Sequence, residues 1–168
     1  MNKLLLYFGV IWCGVAQPLM AQAPNFIVEN GRLVLPGEIL FEADDTVSDD
    51  AETNKVLDSI VLYMNHKTYI SLLRIEGHLD KDRTASEQQN RSEKRALSVV
   101  KALVKRGIAC DRLLAVGFGD TKPVAANDAP MGKSKNRRLE IRPAAMRKRP
   151  IGGMPVDGGG RVAANLCQ

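Results

Sequence analysis

Asp80 and Arg95 are residues of the types needed to hold a small zwitterion. Asp80 ends the run Arg74-Ile75-Glu76-Gly77-His78-Leu79-Asp80, and Arg95 lies within Asn90-Arg91-Ser92-Glu93-Lys94-Arg95-Ala96. A carboxylate accepts hydrogen bonds from an ammonium. A guanidinium offers a planar two-pronged donor to a carboxylate, a fork that lysine at position 95 would lose. The pair therefore suits a ligand that carries both groups on one carbon. Charge-assisted bonds contribute on the order of 1.5–3 kcal/mol each, so two of them give weak binding. The competing reading of the same two residues is a structural ion pair.

Other chemistries are poorly served. Glu76, His78 and Asp80 supply acid–base groups, but no serine or cysteine is paired with a histidine as a nucleophile, and no oxyanion-type loop follows. The chain is therefore not expected to be an enzyme. With only His66 and His78, and no Cys-x-x-Cys, neither a metal site nor another cofactor is expected. His78, between Gly77 and Leu79, reads as a packed strand-end histidine. Gly117-Phe118-Gly119 lacks a further glycine and reads as a tight turn. The net charge of +5 and the basic clusters at 135–138 and 147–149 suit a polyanion, but read first as an ordinary solvated surface. Aromatics make up only 5% of the chain, too few for the stacking platform of a nucleic-acid binder.

The elements that must position Asp80 and Arg95 follow from periodicity. Residues 69–77 alternate as a strand with Leu73, Ile75 and Gly77 on its buried face. The charged loop 81–87 has no apolar anchor and is expected to be mobile. A helix from about 87 to 106 repeats Ala96, Val99, Val100 and Leu103 at i, i+3, i+4, i+7, and Gly107 is placed for a left-handed cap. Upstream, 26–29 and 32–35 flank Asn30-Gly31, the pair favoured in a type I′ hairpin turn. Residues 38–43 read as a buried strand. A helix capped by Ser48, Asp49 or Asp50 carries Leu57, Ile60, Val61 and Met64 to about residue 65. Downstream come a strand at 112–116, a loop at 122–135 and a last strand at 138–142. The fold expected is α+β: a β-α-β-α-β-β two-layer domain, with two helices on one face of a mixed sheet, preceded by a short hairpin.

The flanks read as an address and a tail. Met1-Asn2-Lys3, an uncharged apolar stretch to Ala16, and Ala21-Gln22-Ala23 have the make-up of a secretory signal peptide over residues 1–23. A retained anchor and lipid attachment at Cys13 are the rival fates of that segment. Export leaves Cys110 and Cys167, which either form a disulfide or stay as free thiols. The hairpin segment is assigned to 24–37, the domain to 38–143, and a flexible glycine-rich tail to 144–168.

Four blocks carry a family resemblance: residues 75–80, residues 90–96, Val116-Gly117-Phe118-Gly119 with Pro123, and Asn127 through Gly132 to Asn136-Arg137-Arg138-Leu139-Glu140. Together they resemble the OmpA-like C-terminal domain, the peptidoglycan-binding module of peptidoglycan-associated lipoproteins and flagellar stator proteins. The resemblance implies a periplasmic or outer-membrane-associated protein that grips the diaminopimelate of the wall's stem peptide through Asp80 and Arg95. It implies lesser contacts from Leu79, Gln88, Asp44 and Arg138. Leu79 stands where the family has threonine, leaving a backbone N–H but no hydroxyl; Gln88 stands where it has asparagine, and Arg91 where it has leucine. The alternative is a scaffold for protein interactions in the cell envelope, without wall binding.

Overall fold

The computed structural model describes residues 25–153 and 157–164. The expected signal peptide at 1–23, with Cys13, and the expected disulfide partner Cys167 lie outside the described residues. Cys110 is disulfide-bonded.

Asn30 and Gly31 both take positive φ, 50° and 73°, and close the hairpin of β1 (Val28–Glu29) and β2 (Arg32–Leu33). The strand expected at 38–43 does not form. Pro36 and Gly37 break the chain. The segment then folds on itself around Asp45, with one bridge between Phe41 and Val47 and a Glu42 N–H to Thr46 carbonyl bond. Its polar backbone is used up in this local turn and against the next helix, where Thr53 Oγ1 accepts from the Leu40 N–H.

Helix α1 (Ala51–His66) is capped by Asp50, whose carboxylate accepts from the Thr53 N–H at 2.8 Å. Strand β3 (Ile70–His78) leads to α2 (Ala85–Lys105), and a short 3-10 turn at Cys110–Arg112 leads to β4 (Leu113–Gly117). Gly107, at φ 94°, ends α2 with the left-handed cap its position suggested. A third helix, α3 (Pro130–Asn136), occupies what was expected to be loop. Strand β5 then runs on to Met146 (Arg138–Met146).

The sheet order is β6-β5-β3-β4-β7, where β6 is Arg149–Pro150 and β7 is Arg161–Val162. β3 and β4 are parallel, joined through α2, and β5 is antiparallel to β3 with Gly77 opposite Leu139. The segment expected as an aperiodic tail thus supplies both edge strands, because β5 and β4 leave backbone groups open that short pieces can pair. Both long helices pack on one face of the sheet. Leu57, Ile60 and Met64 of α1 and Ala96, Val99 and Leu103 of α2 enclose Leu73, Ile75 and Ile141 in a single aliphatic core. Alternation along β3 leaves Arg74, Glu76 and His78 for the other face. Glu76 and His78 are buried there too, at 3% and 2% exposure, among arginines of the neighbouring strand.

Candidate ligand-binding cleft

Asp80 sits just past the end of β3 and is buried. Its Oδ2 accepts from Arg137 Nη1 at 3.0 Å, and its backbone carbonyl accepts from Gln88 Nε2. Gln88, also buried, donates from the same nitrogen to Asp82 Oδ1 at 2.6 Å, so it ties down the loop ahead of α2. That loop is further ordered by a capping box: the Glu87 N–H donates to Thr84 Oγ1, and the Glu87 carboxylate accepts from the Thr84 N–H. Asn127 Oδ1 accepts from the Lys81 N–H at 3.2 Å and from the Asn136 side-chain amide at 3.0 Å, linking the loop to α3. The expected mobile segment is therefore held at both ends, and Thr84-x-x-Glu87 was the signal in the sequence for one of them. Leu79 is buried, and its N–H, expected to be free for a ligand, donates to the Gly119 carbonyl at 2.8 Å.

Arg95, on α2, does not meet Asp80. Its Nε donates to Asp45 Oδ1 at 2.7 Å, and its guanidinium lies 4.8 Å from the centre of the Phe41 ring. Arg91, one helical turn earlier, makes a two-pronged contact with the same carboxylate at 2.9 and 3.1 Å. The acidic residue of this loop that faces the helix is thus Asp45, not Asp44. Asp44 turns outward, and its Oδ1 accepts from the N–H and hydroxyl of Thr46. Asp45 takes a left-handed φ of 64°, which turns its side chain inward. Burial pushes the Asp45 carboxyl up, but the bonds from Arg91 and Arg95 outweigh this and hold it below the usual value. Arg91 connects the two clusters: Asp45 raises its pKa by direct bonding, and Asp82 and Asp80 add to this through space.

The two clusters meet a common cleft of about 600 Å³ between the hairpin, the 37–41 segment and the start of β5. Arg95, Arg137 and Arg138 line it, with Phe41 and Arg32. Arg138, expected as a contact, is turned onto Glu140 at 2.8 Å and toward the Lys122 carbonyl. Arg137, its neighbour, is the one that reaches Asp80. Nothing local in the sequence distinguished these two arginines, because the choice depends on a partner far along the chain.

Behind the cleft lies the charged layer. Glu140 accepts from Arg138 and from Arg142 at 2.6 Å, and Glu76 accepts from Arg74 at 2.5 Å. Burial pushes the Glu140 carboxyl up, but the two arginines bring it down to about 2. His78 stacks on Phe118 at 5.1 Å, and its Nε2 stands 3.5 Å from Glu76 Oε2. Glu76, His78 and Glu140 each bring one potential metal-ligand atom within 4.8 Å of the others. However, Arg32, Arg74, Arg138 and Arg142 all contact the two carboxylates, so the surroundings are cationic and do not suit a metal ion.

An OmpA family model matches residues 40–137. The chain is 36% identical over 89 residues to the sodium-type flagellar protein MotY of Vibrio parahaemolyticus, covering 53% of this chain and 30% of that one. It is 47% identical over 62 residues to the peptidoglycan-binding protein ArfA of Mycobacterium tuberculosis, covering 36% of this chain and 19% of that one. The structure of the cell wall anchor of the T6SS from Pseudomonas aeruginosa superposes with a TM-score of 0.58 at 26% identity, covering 74% of this chain and 89% of that one. The chain spans only 13% to 30% of the length of three curated relatives that it matches. Among the described residues, no helix is long and apolar enough to cross a membrane.

Proposed function

The chain belongs to the OmpA family, and from that premise we propose that it binds peptidoglycan without catalysing a reaction, anchoring an envelope protein or complex to the cell wall. The ligand is the free amino-acid head of diaminopimelate in the stem peptide, and the setting is the periplasm or the outer membrane. The observation that carries the reading is the placement of Arg95 and Arg137 on one cleft, each backed by a buried carboxylate, Asp45 and Asp80.

Arg95 engages Asp45 through Nε and keeps its two terminal nitrogens for a ligand carboxylate. Arg137 is half exposed and covers Asp80 through one nitrogen. When it swings aside, the ligand ammonium takes its place on the Asp80 carboxylate, one cation exchanging for another. Leu79 and Gln88 act by position: the first is buried and tied to the Gly119 carbonyl next to Asp80, and the second fixes the Asp80 carbonyl. Asp45 takes the part first expected of Asp44. Names of relatives that refer to peptidoglycan or the cell wall support the class of ligand.

The test is co-sedimentation with purified sacculi, using free diaminopimelate as competitor. Wild-type protein pellets, the competitor relieves pelleting, and Asp80→Ala with Arg95→Ala abolishes it. Equal pelleting of wild type and the double variant would refute the site. No pelleting of folded wild type would refute wall binding and favour an envelope scaffold.

A further inference from the structure

The hairpin lies outside the family-matched segment, yet it forms one wall of the cleft. Glu29, Arg32, Leu33 and Val34 face it from β1, β2 and the residues that follow, opposite Arg137, Arg138 and Glu140. Arg32 is the least committed cation there. Its Nη1 is 3.5 Å from Glu140 Oε1, an oxygen that Arg138 already holds at 2.8 Å, while Arg142 holds the other at 2.6 Å. A third guanidinium adds little to a carboxylate so fully used. Among the described residues no other partner meets the remaining nitrogens of Arg32, and its side chain is 41% exposed. The hairpin itself is pinned elsewhere: Leu33 is part of the core, Phe26 packs edge-on against Tyr63, and Arg142 donates to the Asn30 carbonyl. Arg32 is thus a cation presented on a fixed support with donors to spare.

Position sets what it would bind. Arg137 closes α3 just before β5 and Glu140 is the third residue of that strand, so the backbone between them spans at most roughly 10 Å. Arg32, held over Glu140, therefore stands up to about that far from the cation that covers Asp80. A ligand that fills the cleft from Arg137 to Arg32 needs a second anionic group within about 10 Å of its amino-acid head. We propose that Arg32 is a second anion subsite, binding a further carboxylate of the same acidic peptide that is held at Arg95 and Asp80. This rests on the wall-binding reading, and in that peptide the carboxylate is the one on the acidic residue preceding diaminopimelate.

The experiment is calorimetric titration of the full chain with a synthetic stem tripeptide, L-Ala-γ-D-Glu-diaminopimelate, and with the same peptide amidated at the D-Glu α-carboxylate. Wild type binds the free acid more tightly than the amide. Arg32→Gln weakens the free acid about 3- to 5-fold, the scale of a half-exposed ion pair. It leaves the amide unchanged, and Arg32→Lys recovers part of the loss. Arg95→Ala weakens both peptides. If Arg32→Gln binds the free acid as wild type does, or loses both peptides equally, the subsite is refuted while the wall-binding reading stands. If wild type binds neither peptide, both are refuted. Urea midpoints of the two Arg32 variants matching wild type show that the hairpin is still in place.

Discussion

Arg95 donates to Asp45 through a 2.7 Å bond, although Asp80 was the acid expected beside it. Two arginines converge on the Asp45 carboxylate, and a neutral amide would leave both short of an acceptor. Asp45→Asn should cost about 2–3 kcal/mol of stability at neutral pH. The folded Asp45 pKa is depressed, so its contribution is complete above the unfolded value of 3.8 and fades as pH falls through the lower folded value. Urea midpoints of the variant and wild type should therefore differ at pH 7 and converge in strong acid.

Gly77 sits beneath α2 with no room for a side chain. A Cβ there would lie 2.3 Å from the Ser92 carbonyl oxygen, part of a helix backbone that carries Arg91 and Arg95. Gly77→Ala should cost about 2 kcal/mol or more, since the helix must move as a unit. Chemical denaturation measures the cost. The same shift should weaken sacculus binding, because it displaces Arg95.

Glu140→Gln removes the negative charge shared by Arg138 and Arg142 and one of the two acceptor oxygens they use. The folded pKa of about 2, against an ordinary 4.5, corresponds to about 3 kcal/mol. Because the folded value is the lower one, this stabilisation is present above about pH 4.5 and is lost as pH falls toward 2. The variant should be destabilised at pH 7 and lose less stability than wild type across that window. Urea midpoints measured from pH 7 to pH 2 check both statements.

His78 is held neutral first by burial and then by the positive charge of Arg138, against the opposing pull of Glu76 and Glu140. Its folded pKa is lowered, so its contribution is complete above 6.5 and declines as pH falls below that value. Phenylalanine preserves the stack on Phe118 and has no ring nitrogen to protonate. His78→Phe should change stability at pH 7 by less than about 1.5 kcal/mol. It should also flatten the loss of stability just below pH 6.5, a slope that thermal melts at several pH values would read.

Local patterns in the sequence were enough for the elements with strong chemistry of their own. Asn30-Gly31 specified its turn, Leu57, Ile60 and Met64 specified the buried stripe of α1, and Gly107 specified the end of α2. Helix α3 was hidden because Pro130-Met131-Gly132-Lys133-Ser134-Lys135-Asn136 has no apolar period; only its proline in the first turn hinted at it. The site residues divided along the same line. Asp80 and Arg95 were visible as types, but their partners were not: Asp45 and Arg137 are chosen by packing between distant segments, and in each case an identical residue stands next door. His78 was legible as a packed strand-end histidine, but the burial of Glu76 was not, since alternation gives faces and does not say what will cover them.

Strand β7 has one more effect. Arg161 and Val162 occupy the outer margin of β4, and Arg161 is fastened to Glu93 and Asn90 on α2. The backbone of Val116 and Gly117 is therefore already claimed by the same chain. A strand so short, with an arginine on it, is a poor template for a second molecule. Losing it would bare a β margin beside the apolar groove of Leu97, Val100 and Leu113, a seam through which copies of the domain could zip together. Arg161 and Val162 thus act as a selvedge, finishing the margin of β4 and keeping the sheet one molecule wide.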